Sequence, residues 1–178
     1  MSSGIRLPQK KIQQLIDRPE RLLGQGQVQA YLQFSAPISP YPRDYKYQAS
    51  DPSITMQILQ AVIPGTAEGF IRDELLKPMG ILSYHWQEDL SGLPKSAAGS
   101  SLLSRDMVKM GLLVLNGGKW KGKQLLPENW VKEATSKQVD NSGGIISRNS
   151  DWLVGYGYQF WQCRHGVYRG DGKDGQFC

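Results

Sequence analysis

Residues 97–131 read AAGSSLLSRDMVKMGLLVLNGGKWKGKQLLPENWV, and they predict two helices separated by a turn. Ser104 is a candidate cap for a helix over Arg105–Leu115, whose apolar residues face one way. Asn116-Gly117-Gly118 ends this helix, since glycine commonly adopts the left-handed conformation that closes a helix. The remainder predicts a small exposed turn at Lys119–Leu125 and a short helix at Pro127–Thr135.

The residues before this stretch predict three more helices, at Gln9–Asp17, Ser53–Ile63 and Ala67–Leu76. The second of these has apolar residues at four-residue spacing, with Asp51-Pro52 as its cap and first-turn proline. Pro64-Gly65 then ends it. Apart from Gln9–Asp17, residues 1–52 are predicted to be irregular, because Pro8, Pro19, Pro37, Pro40 and Pro42 interrupt them.

The residues that follow the helices favour strands. Tyr156–Gln162 and Gly166–Arg169 are predicted as the two strands of a hairpin, and Gln176–Cys178 as the start of another strand. Tyr84–Ala98 and Gln138–Ser150 are predicted to be loops. Because helices come first and strands last, the order indicates an α+β fold in one domain over residues 1–178.

Composition excludes several classes of protein. The 178 residues are 39% hydrophobic and 21% charged, as in a folded globular protein, with a net charge of +5. The basic residues are scattered, and the one dense cluster at 119–123 is interpreted as a solvated turn rather than a nucleic-acid site. Cys163 and Cys178 match no zinc pattern and predict no disulfide. No apolar run approaches the roughly 20 residues of a membrane span, and no signal peptide is recognisable.

The terminal run RGDGKDGQFC, residues 169–178, satisfies two common patterns without the context that either needs. Gly170, Gly172 and Gly175 fit G-x-G-x-x-G, but a dinucleotide site requires a helix after the glycines, and Gln176–Cys178 favours a strand. The adhesion tripeptide at residues 169–171 is common by chance. Neither pattern predicts a function here.

No complete catalytic set is visible in the chain. Neither G-x-S-x-G nor Ser-x-x-Lys occurs. His85 and His165 are the only histidines, and each is interpreted as a structural polar residue rather than a general base. Function therefore has to be approached through the sequence as a whole.

Five segments, in the same order, resemble motifs of the serine β-lactamase-related family. This family includes class C β-lactamases, esterases, D-amino-acid peptidases and 6-aminohexanoate-dimer hydrolases. The segments are MSSGI (1–5), PRDYKYQA (42–49), FIRDELLKPMGI (70–81), the block 97–131, and YGYQFW (156–161) with GDGKDGQF (170–177). The resemblance implies a β-lactamase/transpeptidase-like fold, represented here by the helical lobe, a hairpin and an edge strand.

The resemblance also implies candidate site residues. Tyr47 falls on the family's Tyr-x-Asn tyrosine, whose phenol moves a proton between the nucleophile and the leaving group. Ala49 replaces the asparagine of that motif at a substrate-binding position. Gly170, Asp171 and Gly172 fall on the strand that edges the active site, where relatives carry Lys-Thr-Gly or His-x-Gly. The cation is missing at Gly170, although Lys173 follows three residues later.

The family's Ser-x-x-Lys nucleophile motif would lie upstream of MSSGI, and the last sheet strands would lie beyond residue 178. The implied function is a fragment of a serine hydrolase that cleaves a small-molecule ester or amide through an acyl-enzyme, without metal or cofactor. The alternative is an inactive binding or assembly module of the same fold. No nucleic-acid partner or membrane span is expected, and the compartment is not indicated, although relatives are often periplasmic or secreted.

Overall fold

The computed structural model describes residues 3–17, 26–38, 40, 44–89, 91–142, 151–172 and 176–178. The chain divides into two compact units, Met1–Leu102 and Leu103–Cys178. The first unit is mainly helical and the second contains most of the strands, so the predicted α+β class is confirmed.

The first unit contains four α-helices: α1 (Gln9–Ile16), α2 (Gly26–Phe34), α3 (Ser50–Val62) and α4 (Ala67–Ile71). The predicted positions of α1 and α3 are confirmed to within three residues, and α4 begins at the predicted residue. The prediction that the rest of residues 1–52 is irregular is wrong, because α2 lies there. Its Ala30 is 1% exposed, and α2 packs against α3. Tertiary burial therefore stabilises a segment whose sequence lacks clear capping signals.

The start of α3 differs from the prediction. Asp51 was expected to cap the helix, but Ala49 is the N-cap residue and makes no side-chain cap. Asp51 lies inside the first turn instead, where a negative charge is favourable near the helix N-terminus. Its carboxylate is consequently available to other partners.

Residues 67–76 form the predicted helix, but its second half widens. Thr66 caps α4 by accepting a hydrogen bond from the Gly69 amide at 3.1 Å. Residues Arg72–Leu76 then continue as a π-helical turn that ends before Pro78. This places Leu76, Met79 and Ile81 in the core of the first unit.

The predicted loop at Tyr84–Ala98 is wrong in its first three residues. Strand β1 (Tyr84–Trp86) pairs antiparallel with β2 (Ser100–Leu102), with His85 opposite Ser101. The pairing partner lies beyond the predicted loop, so the loop's own composition could not reveal the strand. The indole of Trp86 donates to the Lys95 carbonyl at 2.8 Å and closes the connection.

The second unit begins with α5 (Ser104–Leu115), a hairpin and α6 (Glu128–Ala134). Ser104 is the first helical residue rather than the cap, because Leu103 occupies the N-cap position with no side-chain hydrogen bond. The predicted exposed turn is a hairpin of β3 (Lys119–Trp120) and β4 (Lys123–Gln124). Both residues at its tip, Lys121 and Gly122, have positive φ, as a tight hairpin requires.

The segment predicted as one strand, Tyr156–Gln162, is itself a hairpin. Strand β5 (Gly155–Tyr156) pairs with β6 (Trp161–Gln162), which pairs in turn with β7 (Tyr168–Arg169). The rings of Tyr156 and Trp161 meet edge-on at 4.9 Å and are almost fully buried. The described part of the predicted loop at Gln138–Ser150, residues 138–142, contains neither helix nor strand, and the rest lies outside the described residues.

The chain ends in a further antiparallel pair, β8 (Asp171–Gly172) with β9 (Gln176–Phe177). The predicted strand at Gln176–Cys178 is therefore confirmed. Because a strand follows the glycines, the dinucleotide interpretation is excluded, as expected from the sequence. Cys163 and Cys178 are both free thiols.

Candidate active-site elements

Tyr47 lies in a segment without helix or strand, residues 44–48, shortly before α3. Its side chain is 55% exposed, so the phenol faces solvent rather than the core of the first unit. Ala49 is also exposed. Tyr47 is therefore not a buried core aromatic.

The segment that carries Tyr47 is bonded to residues 3–6 by polar side chains. Asp51 accepts hydrogen bonds from the Ser3 amide at 3.2 Å and the Ser3 hydroxyl at 2.8 Å. The Gln48 amide nitrogen donates to Asp51 at 2.9 Å and also to the Ile5 carbonyl. Arg6 donates to the Asp44 carbonyl at 2.8 Å. These bonds fix both ends of the segment.

The pKa of Asp51 reflects this environment. Burial raises the pKa of the carboxyl, but the hydrogen bonds from Gln48 and Ser3 outweigh burial and hold the pKa below its ordinary value. Asp51 is therefore ionised at neutral pH. Sequence reasoning missed this role because it interpreted Asp51 as a helix cap.

The neighbouring tyrosine, Tyr45, differs from Tyr47. Burial raises the pKa of Tyr45, and the nearby Tyr47 phenol raises it further. The Tyr45 phenol therefore stays protonated from neutral pH up to strongly alkaline pH. Of the two tyrosines in this segment, Tyr47 is the more exposed.

The second candidate element is the strand pair β8–β9. Gly170 and Cys178 exchange two backbone hydrogen bonds, at 2.7 and 3.1 Å. Because bonded and non-bonded pairs alternate along an antiparallel ladder, the backbone groups of Asp171 point away from β9. Within the described residues no strand pairs with that outer edge. The Asp171 amide is therefore the backbone donor that this strand can offer to a ligand.

The side chain of Asp171 has a different partner. Its Oδ2 accepts from Arg169 Nε at 2.9 Å, and the two side chains are 5% and 18% exposed. The other oxygen, Oδ1, is buried and accepts no hydrogen bond from the described residues. Arg169 also donates to the Cys163 sulfur at 2.6 Å. The tripeptide at 169–171 is internally paired and is not presented as an adhesion loop.

The two glycines of the edge strand differ in the space around them. A Cβ added at Gly170 would meet nothing closer than the Cys178 carbonyl oxygen at 3.9 Å. At Gly172 a Cβ would lie 2.7 Å from the Gln176 Oε1 and 3.0 Å from the Gln176 Cβ. The fold itself therefore tolerates a small side chain at Gly170, and any need for glycine there would come from a ligand.

The other candidate residues do not form a site in the described parts of the chain. His85 is exposed on β1, and His165 is exposed at the tip of the β6–β7 connection, with φ of 60°. No three histidine, cysteine, aspartate or glutamate residues are grouped as metal ligands among the described residues. No described helix has the length and apolar character to cross a membrane. Lys173 lies outside the described residues.

An apolar cleft of about 590 Å³ runs along one face of α5, within the second unit. Its floor is lined by Met107, Val108, Gly111, Leu112 and Leu115, and Gln176 and Cys178 form one side. The thiol of Cys178 donates to the Met107 carbonyl at 3.4 Å. The cleft therefore lies between Cys178 and an exposed face of α5. The sequence did not predict it.

Known structures share the fold of this chain. The chain is similar to a protein named as a 6-aminohexanoate-dimer hydrolase from Bacillus anthracis, with a TM-score of 0.67 and 20% identity over 99% of this chain and 47% of that one. It is also similar to a penicillin-binding protein from Bacillus halodurans, with a TM-score of 0.62 and 14% identity over 94% of this chain and 56% of that one.

A third similar structure is a D-stereospecific amidohydrolase from Streptomyces, with a TM-score of 0.59 and 15% identity over 99% of this chain and 56% of that one. No family profile and no curated protein matches the chain by sequence. The chain therefore has the serine β-lactamase/transpeptidase fold, as the sequence resemblance implied. It spans about half the length of the solved structures that it matches.

Proposed function

We propose that the chain is part of a serine hydrolase that cleaves an ester or amide through an acyl-enzyme, with Tyr47 as the proton carrier. The observation that carries this proposal is the position of Tyr47. It is an exposed tyrosine on a segment without helix or strand that is held by Asp51, Gln48 and Arg6. A general acid–base group needs such a fixed and accessible position.

The edge strand, in the second unit, is a separate candidate for substrate contact. On this strand the Asp171 amide would donate to a developing oxyanion or to a substrate carbonyl, because its N–H points to the open edge of β8. Because Gly170 and Gly172 have no side chains, a substrate can lie close to the strand backbone. Ala49 leaves space where the family motif has an asparagine. Since Gly170 replaces a cation, we propose an uncharged ester or amide rather than a β-lactam carboxylate as substrate.

The nucleophile is not among these residues, because no Ser-x-x-Lys occurs in residues 1–178. Nucleophile and base act as a unit, so the chain alone should lack acyl-enzyme chemistry. Incubation of residues 1–178 with a fluorophosphonate or a β-lactam should leave the intact mass unchanged. Stoichiometric labelling of one serine would contradict this assignment of the nucleophile.

The role of Tyr47 is tested in a longer protein, whose reading frame continues upstream of Met1 and encodes a Ser-x-x-Lys segment. In that longer protein Tyr47→Phe removes only the hydroxyl, and turnover of a p-nitrophenyl ester should fall by about 10²–10⁴-fold. The melting temperature should change little. Tyr84→Phe is the matched control, because Tyr84 donates to Glu68 at 3.0 Å in a structural contact. Full activity in Tyr47→Phe would refute the catalytic role.

A binding or assembly module remains the second candidate function. The observation that favours it is the open apolar cleft on α5. A stop codon immediately upstream of Met1, together with no esterase activity, would support this candidate over the hydrolase.

A further inference from the structure

Asp51 connects two segments that are far apart in sequence. Its partner Ser3 is 48 residues away, and the bonds from the Ser3 amide and hydroxyl both end on this carboxylate. Gln48 donates to Asp51 from within the segment that carries Tyr47. The same Gln48 nitrogen donates to the Ile5 carbonyl. The Asp51 carboxylate therefore accepts hydrogen bonds from both segments.

We propose that Asp51 is the positioning residue for Tyr47: its carboxylate clamps residues 44–49 against residues 3–6 and so fixes the direction of the Tyr47 side chain. Tyr47 is four residues before Asp51 and lies outside the helices and strands, so no helical hydrogen bonds hold it. Hydrogen bonds to a charged acceptor are about twice as strong as neutral ones. The catalytic consequence rests on the proposed function, whereas the clamp itself does not.

The clamp explains why an acidic residue is needed at position 51. Oδ1 accepts from the Ser3 hydroxyl and from Gln48, while Oδ2 accepts from the Ser3 amide. An asparagine keeps one acceptor oxygen, but its NH₂ group would face the Ser3 N–H, and two donors cannot bond. An alanine removes both acceptors. The three side chains should therefore rank Asp, then Asn, then Ala in how firmly they hold the segment.

The test uses fluorine NMR of residues 1–178 labelled with 3-fluorotyrosine. The Tyr47 and Tyr45 resonances are assigned by their loss in Tyr47→Phe and Tyr45→Phe. In Asp51→Ala both resonances should move toward their positions in the urea-unfolded chain, while the Tyr84 and Tyr168 resonances stay in place. Asp51→Asn should give an intermediate shift. Exchange of the Ile5 amide should accelerate by about tenfold or more in Asp51→Ala.

Asp89→Ala is the matched control. Asp89 lies in the same unit and also accepts three hydrogen bonds, but all come from its own loop, at Ser91 and Leu93. This variant should leave the Tyr47 and Tyr45 resonances unchanged. If Asp51→Ala does not fold, Gln48→Ala is used instead, and the Tyr47 resonance should shift in the same direction. This variant removes the hydrogen bonds from Gln48 to Asp51 and Ile5 but keeps the Asp51 carboxylate.

The proposal is overturned if Tyr47 keeps its native resonance in folded Asp51→Ala, or if Asp89→Ala shifts it equally. Failure of the proposed function gives a different result. In that case Tyr47→Phe would remain active in the longer, nucleophile-containing protein, while Asp51→Ala would still shift the Tyr47 resonance. The two outcomes are therefore distinguishable.

Discussion

The two candidate elements of this chain are held in place by different kinds of bond. In the first unit the Tyr47 segment is fixed by side chains that converge on the Asp51 carboxylate. In the second unit the Asp171 strand is fixed by backbone pairing with β9. Side-chain clamps depend on charge and on residue identity, whereas backbone ladders depend on close packing. The two elements should therefore fail under different perturbations.

The largest effect on stability is expected from crowding the second unit. A Cβ at Gly157 would lie 2.1 Å from the Ala134 carbonyl oxygen, an impossible contact without movement of the backbone. Overpacking of this kind costs about 1–3 kcal/mol or more. Gly157→Ala should lower the midpoint of denaturant unfolding accordingly, while Gly170→Ala serves as the tolerated control. An unchanged midpoint in Gly157→Ala would contradict the described packing of α6 against the β5–β6 turn.

The next effect is a pH dependence specific to the first unit. Because the folded pKa of Asp51 is lowered, its contribution is present above the pKa of the unfolded chain and is lost as pH falls through the folded value. Melting curves between pH 7 and about pH 3 should show a steeper loss for the wild type than for Asp51→Asn. Parallel pH profiles for the two proteins would show that the Asp51 carboxylate does not cause the pH dependence.

A smaller effect concerns the cleft on α5. Leu115 is 71% exposed and Val108 is 60% exposed, so they contribute binding surface rather than core packing. Leu115→Gln should change the free energy of unfolding by no more than about 0.5 kcal/mol. Fluorescence of a hydrophobic dye should nevertheless decrease, since the apolar surface of the cleft becomes smaller. Unchanged fluorescence in Leu115→Gln would mean that the dye binds at another surface. The control is Ile58→Gln, on the exposed face of α3, which should leave the fluorescence unchanged.

The smallest effect on folding is expected at Gly170. Its φ is not positive and a Cβ has room, so Gly170→Ala should leave the unfolding midpoint within about 0.5 kcal/mol of wild type. In the nucleophile-containing protein the same variant should raise KM for an ester, because the methyl group meets the substrate. Loss of stability without a change in KM would mean that glycine serves the fold and not a ligand.

Local signals in the sequence determined much of the helical framework. Helices α1, α3 and α5 were predicted near their observed positions, because prolines and glycines mark their ends and apolar residues recur at helical spacing. The order of five motifs predicted the fold. The positions of Tyr47 and of Gly170–Gly172 also came from these motifs, although their roles stay predictions.

Only the tertiary structure decided the features that depend on distant partners. Helix α2 is stabilised by burial of Ala30, and β1 by pairing with a strand that begins 14 residues after its last residue. The Asp51 clamp joins residues 48 positions apart, and no local pattern encodes such a contact. Periodicity and capping act over one or two turns of chain, whereas hydrogen bonds between distant segments form only after the chain has folded. The sequence alone therefore placed the tyrosine, and the folded chain revealed what holds it.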